Sequence, residues 1–211
     1  MVETEDLIKK LSKENKKVKC LSPKSILWKI ILVFSLIIIA LLMTISRSDL
    51  NDIVTMPMML AELLFALATG LLSAVAASWL STPDVKQQKW VVWLPFIPFS
   101  LLCILVIHNI IMIPMELLNS GDDSIHCITI TYSLALIPAI ALIILLKLNA
   151  NTHSTLFSVM SVMSVAAFSY FCSRLICYKD NIEHLLIWHY IPVLLLAIVA
   201  AIIGSKLLRW K

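Results

Sequence analysis

Six stretches of the chain are almost free of Asp, Glu, Lys and Arg: residues 30–46, 53–83, 90–115, 124–146, 148–173 and 184–205, the second interrupted once by Glu62. A helix that crosses a bilayer needs roughly 20 mostly apolar residues. The pattern therefore predicts an all-α, polytopic membrane protein with six transmembrane helices. The shortest run, 30–46, gains a turn if residues 26–28 join it and Lys29 extends its ammonium group back to the interface. Nearly thirty residues precede that run and no small-x-small cleavage site follows "IIIALLMTIS", so it reads as a retained anchor, not a signal peptide. Connections are short, the longest being "ELLNSGDDSIH". Two parts follow: an N-terminal arm, 1–25, and a helical bundle, 26–211.

Composition agrees with this reading and adds orientation. The 211 residues are 60% hydrophobic and 14% charged, with three glycines and a mean hydropathy of +0.95, whereas soluble domains carry about 25% charged residues. With the arm inside, fourteen of the seventeen basic residues fall in inner segments, leaving Arg47, Arg174 and Lys179 outside. The positive-inside rule then places both termini in the cytoplasm. Asp49, Asp52, Glu116, Asp122, Asp123, Asp180 and Glu183 fall in or beside the outer loops.

This topology gathers chemistry at one face. The stretch "FCSRLICYKDNIEHLLIWHY", residues 171–190, spans the outer end of helix five, the last outer loop and the start of helix six. Cys127 and His126 open helix four at the same level, and His108 lies near the outer end of helix three. Helices four and five are joined by only "KLNANTH", which favours antiparallel neighbours and brings Cys127 and Cys177 to one level. Two readings of these thiols stand: a disulfide in an oxidising compartment, or small buried hydrophobes. Cys172 lies about 7.5 Å deeper than Cys177 at 1.5 Å per residue and well round the helix, and Cys103 sits within a helix. There is no C-x-x-C or H-x-x-x-H spacing, so the sequence names no metal ligand and no cofactor. A haem site would have to draw on His108 and His189. Glu62 is the intramembrane carboxylate, about 9 Å inside helix two, and is either a packing residue or part of an ion pathway. The repeats and broken helices of carriers are absent from the sequence pattern.

The arm, "TEDLIKKLSKENKKVKCLSPKS", reads as a short basic helix capped by Thr4 and ended by Pro23, with Leu7, Ile8, Leu11 and Val18 on one side. Such a stripe lies on an anionic bilayer or docks into a partner's groove, while a polybasic segment also serves simply to anchor topology.

Several features taken together resemble the NrsF family of negative regulators of sigma F. They are "DLIKKLSKE…SP", the "RSDL" after helix one, Cys127 opening helix four, Cys177 closing helix five and the terminal "LLIWHYIPVLLLAIVAAIIGSKLLRW". The resemblance implies a six-helix bacterial inner-membrane anti-sigma factor. It would hold an extracytoplasmic-function sigma factor at the bilayer through its arm, with Leu7, Ile8 and Leu11 at the contact and Cys127 and Cys177 as signal-sensing residues. It implies no catalysis and no direct contact with nucleic acid. The "CYKDN" loop departs from the "C-P-E"-like residues of the family, and the arm is richer in lysine. The readings from other classes are a small transporter or channel using Glu62 and a membrane redox enzyme using the histidines and cysteines. Oligomeric state and inducing signal are not written in the sequence.

The basic-residue asymmetry generates a first prediction. Reporter fusions at Gly121 and after Asp180 are expected to be active outside the cell, and a fusion at Lys211 inside; an external C-terminus would overturn the orientation.

Overall fold

The computed structural model describes residues 23–44, 49, 52, 55–80, 89–112, 125–147, 154–177 and 179–207. Residues 1–22 of the arm lie outside them, and with them Leu7, Ile8 and Leu11. Among the described residues the chain is almost wholly helical, with no strand. Helix α1 is Pro23–Thr44 and α2 is Pro57–Leu80, each opening on a proline, whose missing N–H is one of the four a helix start leaves unbonded anyway. A 3-10 turn, Lys89–Val92, leads into α3, Phe96–Met112. Then come α4, Ile125–Lys147, and α5, Ser154–Ile176. Helix α6 is built in three pieces: Ile182–Leu185, a π-helical stretch Leu186–Tyr190, and Ile191–Leu207.

Four of these stretches are long and apolar enough to cross a membrane: Leu27–Thr44, Pro57–Leu80, Trp90–Met112 and Thr155–Ile176. Two further apolar stretches, Ile125–Ile140 and Glu183–Val199, are shorter. The distribution of polarity points the same way as length. Leu32, Leu36, Ile104, Ile107, Leu194, Leu195 and Ile198 are exposed, while Glu62, Thr69, Thr131, Ser164, Ser169, Arg174, His184 and His189 are buried. Water rejects contiguous apolar surface on that scale, whereas lipid accepts it and drives polar groups inward.

Helix α5 is the centre of the bundle, packing against α1, α2, α4 and α6, and α2 is its principal partner. The sequence explains why. Lipid tails are as apolar as leucine, so helices in a bilayer associate through small residues and interhelical hydrogen bonds rather than through a hydrophobic drive. Helix α2 offers Ala66, Gly70, Ser73, Ala74 and Ala77, and α5 offers Ser158, Ser161, Ser164, Ala166 and Ser169, all buried. Two hydroxyls then tie the helices: Ser164 Oγ donates to the Gly70 carbonyl at 2.9 Å, and Ser169 Oγ donates to the Thr131 carbonyl of α4 at 2.6 Å. Phe168 stacks on Phe34 of α1 with ring planes 5° apart, and Ala74, Ala77, Leu80, Ala135, Phe157 and Met160 are among the residues of that part of the core.

At Gly70 α2 packs tightly on α5. A Cβ there would stand 2.7 Å from Phe168 Cδ2, and Phe168 cannot swing aside without leaving Phe34. Gly70→Val is expected to destabilise the bundle by about 1–3 kcal/mol, the usual cost of overpacking. The check is thermal unfolding in detergent, with Gly70→Ala showing the smaller loss.

Candidate functional site

The thiols, imidazoles and buried charges come together at the end of the bundle formed by the start of α2, the start of α4, the end of α5 and the start of α6. Cys127 is the third residue of α4. Cys177 follows the last residue of α5, and its N–H still bonds the Ser173 carbonyl at 2.9 Å, so the helix holds its position. The two sulfurs lie 3.9 Å apart. That is well beyond the ~2.05 Å of a disulfide, yet close enough for one event to involve both. Cys172 is buried in α5 and Cys103 is partly buried in α3; neither belongs to the cluster that contains Cys127 and Cys177.

Two histidines of α6 complete that cluster. His184 Nε2 is 3.3 Å from Cys177 Sγ, and His184 and His189 meet edge to face with ring centroids 5.3 Å apart. One donor atom from each of Cys127, Cys177, His184 and His189 falls within 4.8 Å of all the others. In a regular helix, residues five apart point about 140° away from each other. The π-helical stretch removes that divergence because its i→i+5 bonding returns the fifth residue to nearly the same face. Here Ile191 N–H bonds the Leu186 carbonyl. Pro192 accounts for the wider turn, since it has no N–H to offer the Trp188 carbonyl and its ring crowds that oxygen. His108 and His126 are exposed and lie outside the cluster.

Beside the cluster runs a buried ionic network. Arg174 is 2% exposed and Glu62 6%. Arg174 Nε lies 3.2 Å from Glu62 Oε1, an ion pair without the alignment of a hydrogen bond. Its Nη1 donates to Asp180 Oδ1 at 3.0 Å. Tyr190 donates to Glu62 Oε1 at 3.0 Å, Tyr170 hydrogen-bonds the same oxygen, and the two phenol oxygens are 2.6 Å apart under stacked rings. The last turn of α5 suits a cation, because unpaired carbonyls give a helix C-terminus negative character.

Arg174, counted among the outer basic residues, is buried within the bundle at its end and faces Glu62. The available signal was a single arginine just past the end of an apolar run, toward the same end of the bundle as Glu62. Glu62 itself is bound by donors from α5 and α6, the arrangement of a residue that fastens helices together.

A family model described as negative regulator of sigma F matches residues 11–210, nearly the whole chain. The protein belongs to the NrsF family. Neither the curated proteins nor the solved structures contain a match to it. The protein is therefore a regulator whose partner is a sigma factor, in line with the resemblance drawn from its motifs, and its family is not one of enzymes.

For a member of the NrsF family, the network above sets a stability expectation. Removing one side of a buried ion pair costs about 3–5 kcal/mol because the other charge is stranded, whereas replacing both by apolar residues costs much less. Glu62→Leu and Arg174→Leu are each expected to destabilise the purified protein strongly, and the double variant to recover part of the loss. Heat denaturation of the four proteins gives the coupling directly; strict additivity would show that the pair does not act as one.

Proposed function

We infer that the protein is a membrane anti-sigma factor. It holds an extracytoplasmic-function sigma factor at the bacterial inner membrane through its cytoplasmic arm and releases it when the Cys127–Cys177 pair changes state. In this reading the chain crosses the bilayer six times, both termini are cytoplasmic, and the cluster faces the periplasm. The observation that carries the signalling half is the 3.9 Å approach of two sulfurs held on different helices. A sensor needs its reactive groups on the side where the stress arrives, attached to elements whose movement reaches the other side. Cys127 opens α4 and Cys177 closes α5, and each helix is 23 residues long.

Coupling over that distance requires an element with two arrangements that both ends bias. On the sensing side the proposal assigns this role to the segment from Arg174 to Asp180. It contains Cys177, and its ends are tied by the Arg174–Asp180 bond while Arg174 also holds Glu62 of α2. A change at Cys177 therefore strains the contact that fixes α5 against α2. The carrier reading of Glu62 loses its support, because a carboxylate held by an arginine and two phenols is poorly placed to exchange ions.

The decisive experiment has two halves. Replacing Leu7, Ile8 and Leu11 by Asp puts charge where an apolar face would meet sigma. It is expected to abolish co-purification of a sigma factor while leaving the protein in the membrane; capture at the wild-type level would show that this stripe is not the contact. Cys127→Ser and Cys177→Ser are expected to block stress induction or lock one transcriptional state, with Cys103→Ser and Cys172→Ser behaving as wild type. Normal induction in the Cys127→Ser, Cys177→Ser double variant would remove the thiols from signalling and leave the anti-sigma role standing.

A further inference from the structure

The cluster holds two thiols and two imidazoles, and its dimensions are those of a coordination sphere. With metal–sulfur bonds of about 2.3 Å and metal–nitrogen bonds of about 2.0–2.1 Å, neighbouring donors in a tetrahedral centre stand roughly 3.3–3.8 Å apart. The Cys127–Cys177 separation is 3.9 Å and that from Cys177 to His184 Nε2 is 3.3 Å. The widest separation among the four donors is 4.8 Å, so closure asks for about 1 Å of side-chain movement. We propose that Cys127, Cys177, His184 and His189 bind a single divalent, thiophilic cation of the zinc class in tetrahedral geometry. The proposal deepens the thiol-sensing reading by naming the class of ligand the pair receives.

A second, independent observation points to a ligand. His189 is 1% exposed, and its Nε2 is buried with no hydrogen-bond partner. An orphaned ring nitrogen at such depth is costly unless something completes it. Its other nitrogen, Nδ1, faces Thr131 Oγ1 at 3.4 Å, and the Thr131 hydroxyl proton is committed to the Cys127 carbonyl at 2.8 Å. Thr131 therefore accepts from Nδ1–H, which leaves the lone pair on Nε2. Fixing the tautomer from behind in this way is how proteins orient metal-binding histidines. The Thr131 hydroxyl that faces the imidazole, and the Cys127 carbonyl that this hydroxyl bonds, belong to the same turn of α4 that carries the Cys127 thiol.

Charge selects the ion. Two thiolates and two neutral imidazoles carry −2, and a divalent cation makes the buried centre neutral, whereas a monovalent one would leave an uncompensated negative charge in an apolar surround. Binding exchanges two S–H bonds for two metal–sulfur bonds and releases two protons to solvent, with no change of oxidation state. Thiolate and imidazole donors in tetrahedral array suit zinc and disfavour magnesium or calcium, which take oxygen ligands.

The test uses the full-length protein in detergent micelles, reduced and stripped of metal, and titrated with cobalt(II) and then zinc(II). The expected result is a thiolate-to-cobalt charge-transfer band with tetrahedral ligand-field bands. Both should saturate at one equivalent and be displaced by zinc, with two protons released per ion when the thiols start protonated. Cys127→Ser, Cys177→Ser, His184→Gln and His189→Gln should each weaken zinc binding by at least about 100-fold, and Thr131→Val by roughly 10-fold, the range seen when a residue supporting a ligand is lost. Cys172→Ser and Cys103→Ser should bind as the parent. The wild-type spectrum alone can overturn the proposal, whatever the variants do to folding: a cobalt complex without thiolate charge transfer or with octahedral bands would do so. Tight binding of copper(I) with no uptake of cobalt or zinc would overturn the divalent assignment, and undiminished zinc affinity in both histidine variants would overturn the four-ligand centre. Because binding is read on purified protein without sigma, failure here is separable from failure of the anti-sigma role, which is read by sigma capture.

Discussion

A guanidinium cannot stay buried in an apolar bundle without a counter-charge, and Arg174 resolves this by drawing four elements together. Glu62 comes from α2, Tyr170 from α5 itself, Tyr190 from α6 and Asp180 from the loop between α5 and α6. That requirement sets the rotation of α5 about its axis. Once Arg174 faces Glu62, the hydroxyls of Ser164 and Ser169 find carbonyls on α2 and α4, and Phe168 meets both Gly70 and Phe34. The ion pair need not add net stability over an apolar replacement to be useful. Its effect is on register, since a rotated or slipped α5 would leave both charges stranded in a medium that cannot solvate them.

The same segment joins the structural network to the reactive cluster. Cys177 lies three residues beyond Arg174, and the Arg174–Asp180 bond closes the short loop around it. Any event that pulls Cys177 toward Cys127 or the histidines acts on the backbone that also carries the guanidinium. In a protein whose family regulates a sigma factor, this joint is where the proposed sensing would meet the packing of the central helix. Helix α5 touches α1, α2, α4 and α6, so altered packing there is felt by most of the bundle.

Helix α6 shows how a local irregularity creates a site. The sequence "HLLIWHYIP" spaces its histidines for opposite faces of a regular helix. Pro192 withholds one hydrogen bond, the turn before it widens, and His184 and His189 come to the same side while Tyr190 reaches Glu62. A helix that ran regularly through this segment would place one imidazole or the other toward lipid.

Much of the architecture was legible in the chain, because a membrane imposes a one-dimensional rule: long apolar runs become helices, and among the described residues four helices have the length and apolarity to cross. The level shared by Cys127 and Cys177 was legible too, since a short connection forces antiparallel neighbours. Three things were decided only in three dimensions. Arg174 looked like a flanking charge, and only the packing of α5 on α2 shows that it is buried against Glu62. The histidine pair was invisible because sequence spacing presumes 3.6 residues per turn, and the π register breaks that premise. The four-donor cluster draws on α4, the residue after α5, and α6, and no linear motif encodes a constellation assembled from three separated segments. Hydropathy is a property of each residue by itself and survives in the sequence; the meeting of two side chains depends on helix rotation, which only the sum of all contacts determines.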